Sequence, residues 1–77
     1  MPKTFSVGNA SLDVVPGQGK LEITLRCGDA RHTARGRTLG EAVDRLLVGV
    51  TPSVYPSEVY GHLIRPVIDR ALREYGP

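Results

Sequence analysis

Polar and apolar residues alternate through the first half of the chain. From Lys20 to Cys27 the apolar positions are Leu21, Ile23, Leu25 and Cys27, and the polar ones are Lys20, Glu22, Thr24 and Arg26. A sustained period of two predicts a strand with one buried face. Gly28-Asp29 separates this run from a second, Ala30 to Arg37, and a two-residue turn that begins with Gly predicts a hairpin. The register follows from the turn. Cys27 faces Ala30, Leu25 faces His32 and Ile23 faces Ala34 on the core side. On the other side Arg26 meets Arg31, Thr24 meets Thr33, Glu22 meets Arg35 and Lys20 meets Arg37.

Upstream, Leu12 and Val14 alternate with polar residues and predict a strand over residues 10–15. Pro16-Gly17-Gln18-Gly19 reads as the turn that follows it. Phe5 and Val7 mark a weaker strand over 4–7, ahead of Gly8-Asn9. The expected sheet is an antiparallel meander of three strands, or four if residues 4–7 join it.

The period then changes to that of a helix. Leu39, Ala42, Val43, Leu46, Leu47 and Val50 form one stripe, which predicts a helix over about 39–49. Thr38 and Glu41 have the spacing of a capping box, in which Thr38 caps the backbone and Glu41 reaches back. Gly49 reads as the stop signal. Residues 50–56, with Pro52 and Pro56, read as a Pro-rich connector. A second stripe runs through Val59, Tyr60, Leu63, Ile64, Val67, Ile68, Ala71, Leu72 and Tyr75. It predicts a C-terminal helix over about 57–75, kinked at Pro66 and ended by Gly76. The fold class expected is α+β: the meander, then two helices packed on one sheet face.

A chain of 77 residues is one domain, 1–77, with a modest core. Trp is absent and Phe5 is the only Phe, so that core is aliphatic. The second stripe, with Val54 and Tyr55, offers more apolar surface than one small sheet needs. A surplus of that kind suggests a macromolecular partner or a second copy of the chain. Met1-Pro2-Lys3 leads into no apolar signal segment, and no stretch has the length of a membrane-spanning helix. The expectation is a cytoplasmic protein with no membrane contact.

Charge changes the picture on one face. Net charge is only +2, yet the outer face of the predicted hairpin gathers five basic side chains, Lys20, Arg26, Arg31, Arg35 and Arg37, against Glu22. Like charges opposite each other cost stability, so such a face suggests a contact surface. Candidate chemistry is thin. His32 falls on the core side beside Leu25, and Cys27 points inward as a small hydrophobe. His62 follows Glu58 by four residues, which is not a metal motif. Gly17-Gln18-Gly19 and the Gly36–Gly40 stretch lack the Lys-Ser/Thr pair of a phosphate loop. The expectation is no enzyme, no metal and no cofactor.

Two binding readings follow. Residues 20–47 loosely resemble the three-stranded-sheet-plus-helix DNA-binding domains of some phage integrases, through an Arg-rich hairpin and the Thr38, Glu41, Ala42 helix start. The same pattern occurs in antitoxin-like sheets. That resemblance implies nucleic-acid binding by the Arg-rich face. In length and composition the chain is similar to small phage-encoded inhibitors such as anti-CRISPR proteins, which implies a protein-binding regulator, adaptor or inhibitor. Modest net charge and the Tyr-bearing connector favour protein over nucleic acid. The expected contact residues are Lys20, Arg26, Arg31, Arg35, Arg37, Tyr55 and Tyr60.

Overall fold

The computed structural model describes residues 2–50 and 55–76. Four strands, β1 (Lys3–Val7), β2 (Ala10–Gly17), β3 (Lys20–Cys27) and β4 (Ala30–Gly36), form one antiparallel sheet in chain order. Residues 4–7 therefore do join the sheet. All three connections are two-residue turns, Gly8-Asn9, Gln18-Gly19 and Gly28-Asp29, and each places a glycine at positive φ (59°, 70° and 62°). At Gly8 and Gly28, each the first residue of its turn, this is the backbone that matches the strand twist, and at all three glycines the positive φ is strained for any residue with a Cβ.

The β3–β4 register is as the Gly28-Asp29 turn predicts, from Cys27–Ala30 through Glu22–Arg35. The outermost expected pair is absent. β4 ends at Gly36 opposite Leu21, Lys20 pairs back with Gly17, and Arg37 lies beyond the strand. The chain leaves the sheet there because Thr38 must cap the next helix. Pro16 and Gly17 also differ from expectation: they extend β2 opposite Leu21 and Lys20, and the turn is Gln18-Gly19 alone. Pro16 is tolerated because the last β1–β2 pair is Lys3–Val14, so its missing N–H costs no ladder bond.

Helix α1 (Leu39–Gly49) packs on β4 and β3. Thr38 Oγ1 accepts the Glu41 N–H at 3.1 Å, and the Glu41 carboxylate turns forward to Arg45 at 3.0 Å instead of reaching back. Half of the capping box is thus used. The helix closes with the Val50 N–H on the Leu46 carbonyl; Gly49 is not at positive φ, and Val50 is 1% exposed, continuing the stripe into the core.

Of the expected connector, residues 51–54 lie outside those described. The C-terminal helical run begins as α2 (Ser57–Val59), widens into a π turn (Tyr60–Ile64) and continues as α3 (Arg65–Glu74). The π turn is the answer to Pro66. The Arg65 N–H, immediately before the proline, bonds the Tyr60 carbonyl five residues back, and the widened turn lies where the proline ring would clash with an α-helical carbonyl. Gly76, at φ 106°, follows the end of the run.

Both helices cover the same sheet face, α1 over β3 and β4 and α3 over β1 and β2. Leu12, Ile23, Leu25, Leu39 and Ile64 are fully inaccessible. Each such side chain contributes about 1.5–3 kcal/mol by leaving water. The second stripe is placed within the molecule: Ile64, Val67, Ile68 and Ala71 are buried, and Val59, Tyr60, Leu63, Leu72 and Tyr75 pack partly against the core. Among the described residues only Val15 and Val48 are large exposed hydrophobics. None of the described helices is long and apolar enough to cross a membrane.

Candidate functional site

The uncovered sheet face is built in rows by the register. One row runs Ser6, Ser11, Arg26, Arg31, and the next Thr4, Asp13, Thr24, Thr33. Val15, Glu22 and Arg35 make a third. Alternation along each strand sends all these side chains to the same side. The face is polar, and its charges are partly matched. Asp13 sits diagonal to Arg26 and takes its guanidinium at 2.7 Å, while its other oxygen accepts the Thr4 hydroxyl at 2.7 Å. Glu22 takes the directly opposite Arg35, also at 2.7 Å. Both pairs are solvent-exposed, so each adds at most about 1 kcal/mol of stability. Their larger effect is to spend two of the cations.

Arg31, Lys20 and Arg37 have no acidic partner among the described residues. Lys20 and Arg37 line one cleft of about 320 Å³ with Arg35, Arg45 and Glu41, beside the first turn of α1, and Glu41 there is paired with Arg45. Arg26 and Arg31 line another, of about 340 Å³, with Asp13 and Thr33. The five basic residues thus fall in two groups, Arg26 and Arg31 on the open face and Lys20, Arg35 and Arg37 at the end of the sheet beside α1. Asp13 is the member that reading the hairpin alone passed over. Its signal is the Gln18-Gly19 turn, which sets Asp13 opposite Thr24 and so beside Arg26.

The two tyrosines lie elsewhere. Tyr55 stands on the helix-covered side, where its hydroxyl is 2.7 Å from His32 Nε2 and its ring meets the imidazole edge-on at 5.7 Å. Burial raises the Tyr55 pKa above the ordinary 10.0, and the neighbouring Cys27 thiol adds to the shift. His32 therefore finds its partner at the rim of the core, half-buried. Tyr60 opens the π turn, also half-buried. The basic face and the tyrosines are separate surfaces. Among the described residues no three His, Cys, Asp or Glu side chains converge as a metal site.

The free sheet edges each carry an arginine from a helix. Arg45 Nη1 donates to the Arg35 carbonyl at 2.9 Å on β4, and Arg70 Nη1 to the Ser6 carbonyl at 3.4 Å on β1. Arg70 also holds Glu74 at 2.7 Å, and that hydrogen bond keeps the Glu74 carboxyl below the usual carboxylate range.

Fold and site together define a small α+β domain: a four-stranded meander with helices on one face and a polar, partly basic sheet surface on the other. Comparison with known protein families, curated proteins and solved structures returned no match.

Proposed function

We propose that the protein is a small non-catalytic regulator or inhibitor that docks a partner protein through the uncovered face of its sheet. Arg31 and the Lys20–Arg35–Arg37 cleft make the principal contacts, and Arg26 flanks them. The observation that carries this reading is the mixed charge of the face. Two carboxylates, Asp13 and Glu22, sit among its cations, each already bonded to an arginine. Such a surface suits a protein partner that places acidic groups against Arg31, Lys20 and Arg37. A phosphate backbone would meet Asp13 and Glu22 as repulsive charges in the middle of the face.

The test is a pull-down from host lysate with and without nuclease, comparing the wild-type protein with the Lys20→Glu, Arg31→Glu, Arg37→Glu triple variant. The expected result is a protein captured by the wild type, unaffected by nuclease, and lost in the variant while its melting temperature is retained. Recovery of nucleic acid, with capture abolished by nuclease, would replace this reading with the nucleic-acid one.

A further inference from the structure

We infer that the outer edge of β4, which pairs with no strand among the described residues, accepts an extended acidic segment of the partner as a fifth strand, added beside Arg31 and Thr33. This rests on the protein-binding reading and specifies its mode. The outward backbone groups are identified by one contact. Arg45 reaches the Arg35 carbonyl from outside the sheet, so Arg35 points its backbone away from β3. Backbone direction alternates along a strand, so Thr33 and Arg31 also point their N–H and C=O groups outward, while His32 and Ala34 bond to Leu25 and Ile23. A two-residue turn at Gly28-Asp29 requires the same phase. A shallow groove of about 400 Å³, lined by Thr33, Ala34, Arg35 and Arg45, runs along this edge.

Charge selects the occupant. Alternate side chains of an added strand would land on the basic face beside Arg31, Thr33 and Arg35. Arg31 is the cation there that lacks an acidic partner among the described residues, and Arg37 follows beyond the strand end. Acidic side chains at alternate positions meet them. A second copy of β4 is the wrong occupant: antiparallel pairing centred on Thr33 would set Arg31 against Arg35 of the other copy. The opposite edge also carries a helix arginine, Arg70 on the Ser6 carbonyl, but its outward-facing positions, Thr4 and Ser6, carry no charge that would select an acidic strand.

The probe is a short peptide alternating Glu and Val, with a Lys/Val peptide as its counterpart, added to isotope-labelled protein at low ionic strength. The expected result is binding of the Glu/Val peptide alone, with amide exchange at Arg31 and Thr33 slowed by on the order of tenfold or more. Thr33→Pro removes an outward N–H that the sheet does not use, so it should abolish binding and keep the fold. If that variant does not fold, Arg31→Glu serves: it should reverse the preference toward the Lys/Val peptide. Binding that shifts Thr24 and Asp13 but leaves Arg31 and Thr33 exchange unchanged overturns the edge mode and keeps the acidic-partner reading. No binding of the Glu/Val peptide also overturns the edge mode, and the nuclease pull-down then judges the reading by itself.

Discussion

Gly36 lies directly beneath Ala42: a Cβ built on Gly36 would stand 2.5 Å from the Ala42 backbone nitrogen. This contact lets α1 settle on β4 at the point where the chain turns from strand to helix. Gly36→Ala must push backbone against backbone, and overpacking of that kind costs about 1–3 kcal/mol. Gly40→Ala is the control, because its Cβ would meet nothing nearer than Thr38 Oγ1 at 4.0 Å. In the first turn of α1 it should stabilise by about 0.5–1 kcal/mol through helix propensity. Urea denaturation of the two variants should move the midpoint in opposite directions.

Thr38 anchors the start of the same helix through one hydrogen bond to the Glu41 N–H. Thr38→Ala should cost about 1 kcal/mol, and Thr38→Ser should recover most of it. Equal losses in both variants, measured by thermal melts, would mean that the threonine methyl and not its oxygen is what matters.

The Tyr55 phenol has its pKa raised by burial, with the Cys27 thiol adding to it, so the folded protein binds the phenolic proton more tightly than the unfolded chain does. The stability this contributes is complete below the ordinary phenol value of 10.0 and is lost as pH rises from there through the folded-state value. Tyr55→Phe should lose about 1 kcal/mol at neutral pH with the His32 hydrogen bond and should show a shallower decline in melting temperature at alkaline pH. Parallel alkaline declines in the two proteins would assign the effect elsewhere.

Asp13 holds the Arg26 guanidinium on the proposed binding face. Asp13→Asn keeps an oxygen for the Thr4 hydroxyl and releases the guanidinium. Affinity for an acidic partner should rise by on the order of threefold at low salt and converge with wild type at high salt. A titration at two ionic strengths measures it, and weakened binding would show that the Asp13 carboxylate itself contacts the partner.

How much of this was legible in the sequence depended on distance along the chain. The β3–β4 register needed only Gly28-Asp29 and the alternation beside it, and α1 needed only Thr38 and its stripe. The π turn was visible as a problem, Pro66 inside a helical pattern, but not as its solution, because either a sharp bend or a widened turn relieves the clash. Tyr55 could not be placed. Its hydroxyl was equally able to face a partner or His32, which is 23 residues away in sequence. The candidate face was found through its cations, and its charge balance was misjudged because Asp13 comes from a third strand.

Phe5 belongs to β1, and the helix that packs over that strand, α3, is made after all four strands. Every strand pairing can form as its hairpin emerges during synthesis, because each joins neighbours across two residues. The half of the core beneath β1 and β2 is different. It stays open until α3 has left the ribosome, so a nascent chain halted before α3 carries a complete sheet with Phe5 and Leu12 exposed to other proteins. A truncation in this helix therefore releases a sticky sheet where a missing end would ordinarily leave only a shorter protein.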